Sequence, residues 1–280
     1  MLQNTNVLFI GAGSMAEAMI AGMLQEKKLR PENVTAANRS NKTRRNELEN
    51  KYNINVTADC ALRIDEADII ILAVKPKDAE KVLEPLKGRI TDGQLVLSVL
   101  AGISTSYIEE EIGGAPKVIR VMPNTSSMIG ESSTAISAGS HVCRSEMETA
   151  AELLQTIGDV TTIEEKHMDV FTGLAGSGPA YIYYVIEHLE QVAAAEGMDR
   201  ETARKIAAQM VLGAGKMVQS GDDTPADLRR KVTSPNGTTQ AGLEALDENG
   251  GGAAFMEAVK NAAKRSKEIS SQFEKKPVLL

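Results

Sequence analysis

A chain of 280 residues, 42% hydrophobic and 25% charged, is long enough for two domains sharing a cleft, and its composition excludes a disordered or fibrous protein. A formal charge of -7 argues against a nucleic-acid-binding face, so the expected partners are small molecules. Cys60 and Cys143 stand far apart, with no C-x-x-C and no histidine cluster, which supports neither a disulfide framework nor a metal site and fits a reducing cytoplasm.

The first apolar run, Val7 to Ile10, is too short for a signal-peptide core or a membrane span, so no targeting or membrane segment is expected. It reads as a strand and leads into Gly11-Ala12-Gly13-Ser14-Met15-Ala16, a G-x-G-x-x-A turn. Ser14 to Glu26 follows as a helix with Met15, Ala18, Met19, Gly22 and Met23 on one face. Strand, glycine turn and helix in that order form a dinucleotide site: Gly11 makes the tight turn, Gly13 admits the pyrophosphate, and the helix start, with Ala12, Ser14 and Met15, offers amides to the anion.

Val34 to Ala37 is the next strand, and its end selects the cofactor. A carboxylate there would bind the ribose 2'-hydroxyl of NAD, but Asn38-Arg39-Ser40 offers a guanidinium and neutral donors suited to a 2'-phosphate. NADP(H) is therefore expected, with lower use of NAD(H). Ile69 to Val74, Leu95 to Val99 and Val118 to Val121 read as further strands of a doubly wound parallel sheet. Ala73-Val74-Lys75-Pro76 and Asn124 follow two of these strands, on the side where an open sheet binds ligands.

After about Glu165 the texture becomes helical and Ala-rich, which places the division at 1–165 and 166–280. Tyr181 to Glu196 is a helix stopped by Gly197, and the seven apolar residues Ala180 to Ile186 suit a helix enclosed on most sides, with a partner subunit helping to enclose it. Thr224-Pro225 caps a helix to Val232, Thr238 or Thr239 starts another to Asn249, and the tail Phe273 to Leu280 is expected to fray. Between the two helices lies the polar loop Lys231 to Leu243. Free amides at Gly237, Thr238 and Thr239 could receive a carboxylate there, unless the loop is an ordinary Ser/Thr cap.

Ala73 to Pro76, the stretch Thr172-Gly173-Leu174-Ala175-Gly176-Ser177-Gly178-Pro179-Ala180-Tyr181, and the Ser-Pro-x-Gly-x-Thr pattern ending at Thr239 together resemble the pyrroline-5-carboxylate reductase family over nearly the full length. The resemblance implies NADPH-dependent reduction of a cyclic imine to proline by an N-terminal Rossmann-type domain and an all-helical dimerisation domain. It implies that Ser234, Asn236, Gly237, Thr238 and Thr239 hold the substrate, with Thr239 on the ring nitrogen and Ser234 as the second reactive-site hydroxyl. It also implies that Leu100, Ala101 and Gly102 line the cofactor, and that helices are swapped in a homodimer or larger homo-oligomer. Two positions depart from the pattern: Cys60, where some members have an asparagine near the cofactor adenosine, and Asn236, where a second glycine is frequent and asparagine tolerates the same left-handed backbone.

Two other readings compete with this one. A beta-hydroxyacid dehydrogenase would carry a lysine after the interdomain glycines, whereas none occurs here between Pro179 and Lys205, and a non-catalytic NADP-binding sensor would not need the distal loop. Ser177 lacks the first glycine of G-x-S-x-G, and His141, His167 and His188 are expected on helix faces or turns without a catalytic role.

Overall fold

The computed structural model describes residues 2–274, with the side chain of Glu274 left out. The chain divides into two compact units, one running to Ser177 and resuming at Asn261, the other Gly178–Lys260. This partition differs from a division at 165/166 because residues 166–177 and the end of the last helix pack within the first unit. Asp169, for example, accepts a hydrogen bond from Ser266 at 2.7 Å.

Eight strands form one sheet: β1 (Val7–Ile10), β2 (Val34–Ala37), β3 (Asn55–Thr57), β4 (Ile69–Leu72), β5 (Leu95–Ser98), β6 (Lys117–Met122), β7 (Ser132–Ala138) and β8 (Gly158–Thr162). Their order is β3-β2-β1-β4-β5-β6-β7-β8. The expected strands pair parallel throughout, and the sheet is extended by β7, which runs antiparallel to β6, and by β8, which pairs parallel to β7.

Covering both faces of the sheet explains the unbroken apolar strands. Side chains alternate along β1, so Val7 and Phe9 enter one core layer while Leu8 and Ile10 enter the other; Ile69 and Ile71 separate from Ile70 and Leu72 in the same way. The helix Ser14–Gln25 covers the first face with Ala16, Met19, Ile20 and Met23, a true i, i+3, i+4, i+7 stripe. Met15 and Gly22 lie at its margin. Ile108 and Ile112 of the helix Thr105–Ile112 cover the opposite face. Full burial of each of these Met and Ile side chains contributes about 1.5–3 kcal/mol.

The smaller unit is helical: Gly178–Ala195, Arg200–Gln219, Pro225–Lys231, Thr238–Glu248 and the first part of Gly251–Glu274. The Thr224 hydroxyl accepts from Asp227 N at 3.2 Å while the Asp227 carboxylate accepts from Thr224 N at 3.1 Å, a reciprocal cap that sets the start of Pro225–Lys231. Gly197, at φ 91°, ends the helix Gly178–Ala195 as expected.

Enclosure of that helix does not occur within a single chain. Ile182, Tyr183 and Tyr184 are 40%, 61% and 63% exposed. Among the described residues, only Leu62, Met128 and Ile129 of the large exposed apolar side chains precede Val170. The tail expected to fray lies beyond the described residues except for its start, where Phe273 packs edge-on to Tyr107 with ring centroids 5.8 Å apart. Among the described residues no helix is long and apolar enough to cross a membrane.

Candidate functional site

The strand order reverses at β1 and β4, and the crevice at their C-terminal ends is where a doubly wound sheet receives its ligand. Gly11 leaves β1 at φ 118°, and its N–H donates to Ala37 O at 2.9 Å, so the turn lies against the ends of both β2 and β4. Gly13 has an ordinary backbone, is exposed, and would find nothing of this chain within 4 Å of an added Cβ. The protein's own packing gives no reason for a glycine there, whereas an anion seated on the start of Ser14–Gln25 does. Gly13 is also the N-cap and provides no side chain to cover the first amides. The residues fit a bound dinucleotide.

A cleft of about 930 Å³ opens beside this turn, with Gly11, Asn38, Arg39, Ser40, Cys60 and Val74 among its walls. Arg39 is exposed and forms no hydrogen bond or ion pair among the described residues, so its guanidinium is available for a 2'-phosphate. Asn38 is more committed than expected: its side-chain oxygen accepts from Asn41 N at 2.9 Å, and its carbonyl accepts from the Arg45 guanidinium. Burial pushes the Cys60 thiol upward, with Asp59 adding to the shift. On the far wall, the Lys81 ammonium, 2.8 Å from Asp78, holds that carboxyl below its usual range.

Ala73, Val74, Lys75 and Pro76 follow β4 directly, with Lys75 exposed at the start of the short helix Pro76–Asp78. Leu100, Ala101 and Gly102 follow β5. Leu100 is buried in the core, and Gly102, at φ 76°, leaves room for the last helix, since an added Cβ would stand 2.9 Å from Ile269 Cγ2. Asn124 is occupied within the chain: its side-chain N–H donates to Ala175 O at 3.1 Å and its oxygen accepts from Ser126 N at 3.0 Å. That bond holds the π-helical turn Thr172–Gly176, inside the glycine-rich stretch that carries the resemblance.

Two clusters had no signal in the sequence. The Glu165 carboxylate accepts from Thr105 N at 2.9 Å, from Thr105 Oγ1 at 2.6 Å and from buried Arg120 at 3.2 Å, which fixes the helix start just after Gly102. Glu17 collects Lys51 at 2.8 Å, Tyr52 at 2.9 Å and the Arg44 guanidinium, and its carboxyl is lowered to about 2, chiefly by the Lys51 bond.

In the smaller unit, Ser234, Pro235, Asn236, Gly237, Thr238 and Thr239 form a tight turn into the helix Thr238–Glu248. Asn236 sits at φ 58°, the left-handed region expected of it, with its N–H donating to the Gln240 side chain at 2.8 Å. Of the three amides expected to be free, that of Gly237 is not: it donates to Ser234 O at 3.0 Å and closes the turn. The amides of Thr238 and Thr239 keep no partner among the described residues, and Gly237 caps the helix without a side chain. Ser234, Thr238 and Thr239 are exposed. The histidines match expectation in place: His188 on a helix, His141 in a turn, His167 at the end of the short helix Glu165–His167.

Sheet order, glycine turn and cleft together define a Rossmann-type dinucleotide-binding protein. Residues 6–102 match the family described as NADP oxidoreductase coenzyme F420-dependent, and residues 165–269 match that described as pyrroline-5-carboxylate reductase dimerisation. The chain is 52% identical to pyrroline-5-carboxylate reductase 1 of Bacillus subtilis over 96% of its own length and 91% of that protein. A pyrroline-5-carboxylate reductase structure from Coxiella burnetii superposes with TM-score 0.89 at 32% identity, covering 96% of this chain and 99% of that one. A Plasmodium falciparum pyrroline carboxylate reductase structure with NADP bound gives 0.87 at 29% identity, covering 96% and 100%. The chain belongs to the pyrroline-5-carboxylate reductase family, and is an oxidoreductase.

Proposed function

We propose that this chain reduces 1-pyrroline-5-carboxylate to proline with NADPH. The observation that carries the reading is the uncapped start of Thr238–Glu248, where two unpaired amides and the Thr239 hydroxyl stand together in a member of this family. The amides of Thr238 and Thr239 receive the substrate carboxylate, favoured by the helix dipole. Asn236 and Gly237 shape the turn, the Ser234 hydroxyl is a second donor, and Thr239 orients the ring nitrogen.

When bound, NADPH supplies the hydride, which goes to the ring carbon of the C=N bond. A protonated imine accepts it without a strong acid from the protein, so these residues act by positioning. Gly11 to Met15 hold the pyrophosphate and Asn38, Arg39 and Ser40 the 2'-phosphate, while Ala73 to Pro76, Leu100 to Gly102 and Asn124 form the cofactor's surroundings. NADH is used less well, because it leaves the Arg39 guanidinium without an anion.

In this reading residues 1–165 serve the cofactor, and residues 166–280 serve the substrate and the subunit contact of a cytoplasmic homodimer or larger oligomer built on swapped helices. The exposed apolar side chains of the helical unit support that contact. The test is NADPH oxidation with pyrroline-5-carboxylate beside NADP reduction with a 3-hydroxyacid. Turnover only of the hydroxyacid would replace this reading with the dehydrogenase one, and binding of NADPH without any turnover would replace it with the sensor.

A further inference from the structure

Two loops face the cofactor cleft, the glycine turn after β1 and Asn38–Asn41 after β2, and a continuous run of hydrogen bonds joins them. Arg44 Nε donates to Ala12 O at 2.9 Å, inside the glycine turn. The Arg44 backbone N–H donates to the Asn41 side chain at 2.9 Å, and Asn41 N donates to the Asn38 side chain at 2.9 Å. One residue therefore holds the glycine turn through its side chain and the ribose-end loop through its backbone.

The guanidinium is held in turn. Its other nitrogens meet Glu17, on the helix that starts at the glycine turn, and Glu47 at 3.2 Å. Glu17 and Arg44 are mostly covered, at 19% and 22% side-chain exposure, and Lys51 and Tyr52 bind the remaining Glu17 oxygen. Planar donors and a carboxylate clamped from several sides give Arg44 little rotational freedom.

We propose that Arg44, held by Glu17, is a positioning residue that sets the distance between the pyrophosphate subsite and the adenosine ribose subsite of the cofactor. This rests on the cofactor reading above. Arg44 needs no contact with the cofactor in this role, which separates it from Arg39. A fixed spacing matters only to a ligand that spans both subsites, because a ligand in one of them does not sense where the other lies.

The experiment compares full-length wild type with Arg44→Met, reading Kd by NADPH fluorescence and by competition for the other ligands. NADPH and NADH should both weaken by a comparable factor, about 10-fold, equivalent to about 1.4 kcal/mol, while adenosine 2'-monophosphate, which reaches only the ribose end, keeps its Kd. KM for NADPH should rise in step, with kcat at saturating NADPH retained. Unchanged NADPH affinity would overturn the proposal, as would equal weakening of the fragment. If Arg44→Met does not fold by circular dichroism, Arg44→Lys carries the same comparison: one ammonium cannot reach Ala12 O, Glu17 and Glu47 together, so the same pattern is expected with a smaller factor. A wild-type protein that binds NADPH but reduces no imine would end the substrate reading and leave this test intact.

Discussion

The Gly11 α-carbon lies so close to the Ala73 carbonyl that an added Cβ would stand 2.6 Å from the carbonyl carbon and nearer still to the oxygen. Gly13, two residues on, has open space at the same position. The two glycines should therefore fail differently. Gly11→Ala must distort the meeting of β1 and β4 and adopt φ 118°, so a melting-temperature loss matching about 1–3 kcal/mol is expected. Gly13→Ala should melt as wild type while binding NADPH at least about 10-fold more weakly, through a methyl group in the anion's place. Calorimetry and fluorescence titration on the pair check this, and a Gly13→Ala protein with full affinity would remove the glycine turn from the cofactor site.

Arg39→Asp should raise KM for NADPH far more than KM for NADH, since it removes a positive charge and adds a repulsive one where only NADPH carries a phosphate. Steady-state kinetics with each cofactor measure it. Equal effects on both would mean that the exposed guanidinium serves no phosphate.

Thr239→Ala keeps every backbone amide and removes one hydroxyl. Loss of that orienting hydrogen bond should lower kcat/KM for the imine by about 5- to 150-fold, or about 1–3 kcal/mol, with NADPH binding nearly unchanged. Thr238→Val is the control, expected to act on stability more than on turnover. Full activity in Thr239→Ala would move the ring-nitrogen contact to Ser234.

Glu17 ties acid sensitivity to the cofactor loops. Its carboxyl is lowered from 4.5 to about 2, first by the Lys51 bond, against the opposing effect of burial, and then by Arg44 and Tyr52. A depressed acid contributes stability above its unfolded value and loses it as pH falls through the folded one, so the contribution fades between 4.5 and about 2. The gap corresponds to about 3 kcal/mol, and screening at largely exposed Lys51 reduces it to about 1–2 kcal/mol. Urea unfolding from about pH 5 to about pH 3 should show a steeper loss for wild type than for Glu17→Gln. Parallel curves would show that Glu17 is as well paired unfolded as folded.

Tyr183 and Tyr184, exposed on their helix beside Ile182, predict association through the helical unit. Light scattering at working dilution should give a dimer or larger particle, and a folded, active monomer would refute it.

Much of the first unit was legible because β1, β2, β4 and β5 are buried on both faces and read as plain apolar runs. β7 was not legible: it buries Ser132, Thr134 and Ser137, whose polar atoms find partners locally, as where Ser132 Oγ lies 2.9 Å from Thr134 Oγ1 and accepts from Asn124 N at 3.1 Å. β3 and β8 sit at the sheet edges, where three or five half-exposed residues suffice and no apolar pattern is required. At the site, the glycine turn announced itself through its neighbours in sequence. Arg44 did not, because its partners Ala12 and Glu17 lie 32 and 27 residues away and nothing local marks the pairing. The Gly237 amide escapes sequence reading for the opposite reason, since a turn only four residues long, Ser234 to Gly237, claims it first.

The return of the chain at Asn261 to the first unit has a consequence for biosynthesis. The sheet is complete by Thr162, yet the face around Gly102 and Tyr107 awaits Ile269 and Phe273, which follow only after the whole of the smaller unit. A ribosome-bound intermediate holding the whole sheet therefore still shows an apolar strip to chaperones, and is sealed only when the returning helix has been made.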